Sequence, residues 1–469
     1  MKIEQIYTGC LAQGAYYIES NGEAAIIDPL RETAPYLEKA EKEGSTIKYI
    51  FETHFHADFV SGHVDLAEKT GAKIVYGPGA KTKYSIHEAS DNEDFQLGKL
   101  TIRVLHTPGH TPESSTFLLL DESGQEHAIF SGDTLFIGDV GRPDLAVKSD
   151  LTREDLAGLL FDSLRNKIMP LPNEVIVYPA HGAGSACGKN MSSETWDTLG
   201  NQKDTNYALR ADMTKEEFVK EVTDGILPPP QYFAKNARIN KEGYDSIDAV
   251  LEKGTVALDI DTFESMANHE GALVIDTRNE ADFVKGFIPK SIFIGLDGSF
   301  ASWVGTLITD IQQPIVLVTD EGRAQEAVTR LARVGYDNVL GYLEGGFEAW
   351  TAKGKDVDSL AQVTAQGLAE MLVAGEQVEV VDVRKKSEHQ SEHVENALNV
   401  PLDYINDSMG ELVRENTYYL HCAGGYRSVI MASILKARGY ENLVDIAGGF
   451  KALAETSIPK SEYVCPSTL

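Results

Sequence analysis

The sequence predicts an α/β protein built from several layered domains. Three observations carry that expectation. Short apolar runs alternate with helical stretches through residues 1–180. Clusters of His and Asp fall just past the ends of the expected strands, where layered α/β folds gather their sites. The last two hundred or so residues contain an internal repeat, each copy roughly 100 residues long.

The strands are read in order. Ala24-Ala25-Ile26-Ile27 is a buried strand ending in the turn Asp28-Pro29. Lys48-Tyr49-Ile50-Phe51 is a second strand and runs into Thr53-His54-Phe55-His56-Ala57-Asp58-Phe59. Lys73–Tyr76, Leu100–Leu105 and Ala128–Phe130 follow the same pattern, and Val175–Tyr178 ends at Pro179-Ala180-His181-Gly182. Residues 185–250 are more polar and helical in pattern, broken by the stiff Pro228-Pro229-Pro230. In the repeat, Val274–Arg278 echoes Val380–Arg384, and Pro314–Val318 echoes Thr417–Leu420. Gly335–Val339 echoes Gly439–Leu443, and Leu343–Phe347 echoes Ile446–Phe450. The expected organisation is a first domain with helical connector over 1–245, then domains over 250–355 and 360–469.

Composition narrows the function class. A chain of 469 residues is too long for one core. Its formal net charge of −30 repels nucleic acid and anionic membrane, so neither is an expected partner. No apolar run is long enough to span a bilayer, and the N-terminus lacks a signal-peptide layout. A cytoplasmic protein is expected. The four cysteines, Cys10, Cys187, Cys422 and Cys465, form no CxxC pair, which argues against a disulfide framework or a Cys-rich zinc module.

Four segments supply candidate metal ligands: His54/His56/Asp58, His110 in Pro-Gly-His-Thr, Asp133 in Ser-Gly-Asp, and His181. Together they point to a metal. Spacing alone permits His54, His56 and His110 around zinc as readily as His54, His110 and Asp133. Phe59 stands where the His-x-His-x-Asp motif usually continues with a further His, and a phenyl ring ligates nothing.

This pattern resembles the metallo-β-lactamase superfamily over residues 1–240, which implies an αββα sandwich. Gly132–Phe136 followed by Gly141-Arg142-Pro143-Asp144 is similar to the glyoxalase II and persulfide dioxygenase branch. The segment Thr53–His63 is closer to the persulfide dioxygenases. That resemblance implies one Fe(II) per chain, held by His54, His110 and Asp133. A 2-His-1-carboxylate face leaves positions open for O2 and a substrate sulfur, whereas zinc only activates water. His56, Asp58 and His181 are then supporting groups or alternative ligands. Cys187 and Arg142 are candidates for sulfur relay or substrate contact.

In the second repeat, Tyr419-Leu420-His421-Cys422 leaves a strand, enters Ala423-Gly424-Gly425, and Tyr426-Arg427-Ser428 opens a helix. Backbone N–H groups of such a loop, with the helix N-terminus, stabilise a thiolate or persulfide. Arg427 is placed to hold an anionic donor. This resembles the rhodanese family, in two copies over 255–469. In the first copy the loop is shorter, and Asp320 is read at the position of the nucleophile, so that copy is expected to be inactive.

The combination resembles persulfide dioxygenase–sulfurtransferase fusions. It implies O2-dependent oxidation of a glutathione- or coenzyme A-type thiol persulfide to sulfite, with Cys422 and Arg427 passing sulfur on to give thiosulfate in sulfide detoxification. A homo-oligomer, dimer or tetramer, is expected. The competing expectation is a glyoxalase II-like thioester hydrolase fused to a sulfurtransferase.

Overall fold

The computed structural model describes residues 1–147, 151–189 and 191–465. They form two compact units, Met1–Ala249 with Leu331–Gly335, and Val250–Arg330 with Tyr336–Leu469. No helix among the described residues is long and apolar enough to cross a membrane.

The first unit holds two six-stranded sheets. One runs in chain order through β1 (Lys2–Thr8), β2 (Gln13–Ser20), β3 (Glu23–Ile27), β4 (Thr46–Glu52), β5 (Lys73–Tyr76) and β6 (His87–Glu88). The other orders β7 (Asp94–Leu97), β8 (Leu100–His106), β9 (Ser115–Leu120), β10 (Glu126–Gly132), β11 (Ile176–Pro179) and β12 (Asp197–Thr198). The period of two along each strand explains the layers. Tyr16 and Ile18 of β2 join Ile102, Val104, Phe117 and Phe130 in the core between the sheets. Their neighbours Ala15 and Tyr17 turn outward to Tyr36, Ala40 and Leu66 of the helices Ala34–Glu43 and His63–Thr70. On the second sheet, Leu118, Leu120 and Ile129 pack outward on Leu160, Leu164 and Phe218. Ser115–Leu120, paired on both sides, is buried throughout although it begins with the polar Ser115 and Thr116. The expected αββα sandwich is the observed one.

The second unit contains the repeat. Its first parallel sheet orders β13 (Ala257–Leu258), β17 (Val339–Leu343), β16 (Ile315–Val318), β14 (Leu273–Asp276) and β15 (Ile292–Phe293). The second orders β18 (Ala361–Thr364), β22 (Leu443–Ala447), β21 (Tyr418–His421), β19 (Glu379–Asp382) and β20 (Leu398–Asn399), the same permutation. Side chains repeat as well. Arg278 binds Asp276 and lies 4.2 Å over the Phe347 ring, while Arg384 binds Asp382 and lies 3.9 Å over Phe450.

The strand ladders correct one reading. Asp276 pairs with Val318 as Asp382 pairs with His421, so Thr319, not Asp320, occupies the position of Cys422. Thr319 is buried like Cys422, whereas Asp320 is exposed one residue later. The sequence offset misleads because the first loop is one residue shorter before its arginine. Neither Thr319 nor Asp320 carries a sulfur.

Close approach at the end of β10 depends on Gly132. Its φ is +53°, and a Cβ there would lie 2.6 Å from the Thr53 side chain. Gly124 is also left-handed, at φ +80°, but opens to free space. Gly132→Ala is expected to lower the unfolding midpoint of the protein by more than Gly124→Ala. The backbone conformation alone costs about 1–3 kcal/mol at either position, and only Gly132 adds a collision. Equal losses in parallel thermal melts would show that the Thr53 approach contributes nothing.

Candidate functional site

Every candidate ligand of the first unit follows a strand end. Asp28 leaves β3, His54, His56 and Asp58 leave β4, His110 follows β8, Asp133 follows β10, and His181 follows β11. All of them are buried. The structure brings one ligand atom each from His54, His110 and Asp133 within 4.8 Å of one another. Asp133 Oδ2 lies 3.4 Å from His110 Nε2 and 3.8 Å from His54 Nε2. Neither carboxylate oxygen of Asp133 has a hydrogen-bond partner. A buried, unpartnered carboxylate facing two imidazole nitrogens fits a cation.

The outer nitrogens of the two rings are already engaged. The Thr53 hydroxyl donates to Asp28 Oδ2 at 2.8 Å, so it accepts from His54 Nδ1 at 3.0 Å. Its backbone N–H is held by Asp28 Oδ1 at 2.8 Å. His110 Nδ1 donates to the Arg142 carbonyl at 2.8 Å. With the proton on Nδ1 in both rings, both Nε2 lone pairs point inward as ligands. Burial pushes the His54 pKa well down, which keeps that ring neutral.

The remaining polar residues divide. His181 donates from Nδ1 to the Ala12 carbonyl and presents Nε2 3.4 Å from Asp58 Oδ2 and 3.6 Å from Asp133 Oδ1. His56, Asp58 and His181 form a second group within metal reach. His56, however, faces Asp28 Oδ1 at 3.1 Å and Glu52 Oε2 at 3.5 Å. Burial works against a charged His56, but Asp28 and then Glu52 outweigh it and raise its pKa to about 9. Phe59, fully buried, stacks obliquely on His56 at 4.3 Å. A set of His54, His56 and His110 is not found within metal reach among the described residues.

Cys187 is brought to the site, grouped with Asp133 and His181. Burial pushes its thiol well up, and Asp58 and Asp133 add to that, so the free site holds it as neutral S–H. Arg142 enters differently from its sequence reading. Its guanidinium is committed to Asp144 at 2.7 and 2.8 Å and to backbone carbonyls of Ala186 and Leu227. Its contact with the centre is the carbonyl that orients His110. Lys189 turns its ammonium to the carbonyls of Glu221 and Asp224.

Three supporting residues escaped the sequence reading. Asp28, at φ +49°, orients Thr53 and pairs His56. Asn240, on the helix Phe233–Glu242, donates to the carbonyls of His56 and Phe59, both at 2.8 Å, and accepts from Ser61 N–H at 3.0 Å. It clamps the ligand loop from 180 residues away in sequence, and no local signal marks it. Gly141 leaves room at the centre, because a Cβ there would lie 2.0 Å from the Asp133 carbonyl and 3.0 Å from His110 Nδ1.

In the second unit, Cys422 is 2% exposed and leaves β21. The Gly425 N–H donates to its Sγ at 3.1 Å, and Ser428 Oγ lies 3.8 Å away. Arg427 makes a two-pronged pair with Glu388 at 2.7 and 2.8 Å. That pair raises the Arg427 pKa and holds the guanidinium charged beside the loop.

Comparison with known proteins agrees with this geometry. The pattern of the metallo-beta-lactamase superfamily matches residues 8–181, and that of the rhodanese-like domain matches 259–353 and 364–456. The chain is 32% identical over 211 residues to "Persulfide dioxygenase ETHE1, mitochondrial" of Homo sapiens, covering 45% of this chain and 74% of that protein. It is 30% identical over 246 residues to "Glyoxylase B2" of Dictyostelium discoideum, covering 48% and 78%. A solved metallo-beta-lactamase structure from Staphylococcus aureus subsp. aureus COL superposes with a TM-score of 0.64 at 33% identity, over 73% of this chain and 98% of that one. Strand order, site and sequence therefore converge: the chain belongs to the metallo-β-lactamase superfamily, among homologues of persulfide dioxygenases, and carries two rhodanese-like domains after that fold.

Proposed function

We propose that this chain oxidises the sulfane sulfur of a low-molecular-weight thiol persulfide, of the glutathione or coenzyme A type, to sulfite, and passes sulfur through Cys422 to form thiosulfate. The observation that carries the first half is the unpartnered Asp133 carboxylate between two imidazoles whose Nδ1 protons are tied back. His54, His110 and Asp133 hold one Fe(II), and the open face of such a site suits O2 and a sulfur ligand. Iron bound there supplies the redox chemistry of R-SSH + O2 + H2O → R-SH + SO3²⁻ + 2 H⁺. The surrounding residues orient and exclude. Thr53 and the Arg142 carbonyl fix the two rings. Phe59 walls off bulk water, and the buried Asp58–His181 pair takes up protons that the reaction releases. Cys187, a neutral thiol beside Asp133, is placed to touch the persulfide.

The second half rests on the Cys422 loop. Cys422-S⁻ + R-SSH gives Cys422-SS⁻ and R-SH. Attack by sulfite on the outer sulfur then gives thiosulfate and restores Cys422-S⁻. Gly425 N–H stabilises the sulfur anion, and Arg427 attracts the dianion.

A second reading has support in the His56–Asp58–His181 group and in the glyoxylase relative: a two-metal thioester hydrolase. The orientation of His56 towards Asp28 and Glu52, with Phe59 against it, counts against this reading.

Metal analysis and oxygen electrode traces separate the two. We expect about one iron per chain, consistent with a single facial triad, and O2 uptake on adding glutathione persulfide. Two metals per chain with thioester cleavage and no O2 uptake would establish the hydrolase instead. Asp133→Ala should abolish both the iron and the uptake. Thr53→Val removes the hydroxyl that orients His54, and iron affinity measured by chelator competition is expected to fall by about 10–100-fold. Unchanged affinity would mean that the hydrogen bond orients nothing. Cys422→Ser should eliminate thiosulfate formation while O2 uptake persists, and collapse of both activities would refute the division between two centres.

A further inference from the structure

The sulfurtransferase reading leaves the first repeat without a role, since it has no cysteine. Resting on that reading, we propose that the first repeat positions the Cys422 loop, and that Tyr426 is the positioning residue through which it acts.

Tyr426 is the first residue of the helix Tyr426–Ala437, between Gly425 and Arg427. Its hydroxyl donates to the Gly295 carbonyl of the first repeat at 2.7 Å. Its ring meets the edge of Phe293 at 5.7 Å between centroids, at 70°. The seat is cut to the ring by two glycines. A Cβ on Gly298 would lie 2.4 Å from the ring, and one on Gly295 would lie 3.2 Å away. One turn along the helix and beyond, the Ser433 hydroxyl accepts from the Phe293 N–H at 2.9 Å, so the two repeats are joined along this edge.

Packing holds one side of the ring. It borders a cavity of about 270 Å³, lined also by Arg278, Asn279, Glu280 and Asp297. The hydroxyl therefore provides a directional constraint that the contacts leave open. Burial pushes the phenol pKa far up, so the group remains an O–H donor.

The loop needs such an anchor. Gly425 has φ +120°, and a Cβ on either Gly424 or Gly425 would meet nothing within 4 Å. On its inner side the loop is held by the Phe450 and Lys451 N–H groups, which donate to the Cys422 and Ala423 carbonyls at 2.7 and 3.1 Å, and by the Ser428 hydroxyl, which donates to the Gly425 carbonyl at 2.8 Å, while the Gly425 N–H must aim at Cys422 Sγ. Tyr426, one residue on, ties the outer side of this glycine pair to the first repeat. Arg427 has its own hold through Glu388. Loss of the Tyr426 tether should therefore weaken stabilisation of the sulfur anion more than capture of the anionic donor.

The test is steady-state transfer of sulfur from thiosulfate to cyanide by the full-length iron-loaded protein. Tyr426→Phe keeps the ring and removes only the hydroxyl. We expect kcat to fall roughly 3–10-fold, the range of one lost hydrogen bond, with the KM for thiosulfate and persulfide-dependent O2 uptake unchanged. Gly298→Ala forces the ring from its seat and should lower kcat in the wild-type background but not in a Tyr426→Ala background. An unchanged kcat in Tyr426→Phe, or an equal loss from Gly298→Ala in both backgrounds, overturns the positioning role. Absence of thiosulfate–cyanide transfer in the wild-type protein would instead overturn the sulfurtransferase reading.

Discussion

A buried carboxylate without a partner sets the terms for the first unit. Both oxygens of Asp133 lie in the interior and accept no hydrogen bond. Such a group is strongly unfavourable unless an opposite charge joins it. Burial disfavours a charged His54, and both His54 and His110 direct Nδ1 outward, leaving Nε2 towards the carboxylate. The site is therefore short of one positive charge, and it has its lone pairs aimed at the place where that charge belongs. Thr53, Asp28, the Arg142 carbonyl and the Asn240 clamp all serve to keep that deficit in one geometry. Metal binding and folding of this edge are accordingly linked.

Phe59 and His56 work together beside this centre. The ring of Phe59 lies against His56, and Asp28 and Glu52 draw the imidazole into a buried ionic cluster. His63 extends the same cluster through Glu52 and Tyr84. The protein's net charge of −30 adds a global negative field, and the screening length of about 8 Å at physiological salt leaves the local charge of Arg427 to dominate beside Cys422.

The second unit shows how one topology carries two roles. Both repeats use the same strand permutation and the same Asp–Arg–Phe stack. They differ in the loop. In the second, two glycines let the Gly425 N–H approach a buried sulfur. In the first, Thr319 takes the sulfur's place, and Arg323 is tied to Asp297 and Glu326. A repeat that has lost its nucleophile keeps its surface, and that surface seats Tyr426.

The sequence by itself determined the fold class, the repeat and the identity of the residues at the centre. Those are carried by local features: apolar runs, turns after strands, and side chains with unmistakable chemistry. Thus His54, His110, Asp133 and Cys422 were legible, and so were β3, β4, β8 and β10. β2 and β9 were harder to read, because polar residues such as Gln13 and Ser115 sit in strands that tertiary packing buries completely. Spacing left His56 as good a ligand as Asp133. Only the tertiary structure distinguished their surroundings, by setting Asp28 and Glu52 beside the His56 imidazole. It also moved the functional contact of Arg142 from side chain to carbonyl, assigned Thr319 to the position opposite Cys422, and revealed Asn240 and Tyr426. The physical reason is common to all of these. Each depends on which way a group points and what faces it across the fold, and neither direction nor partner is encoded in residues adjacent along the chain.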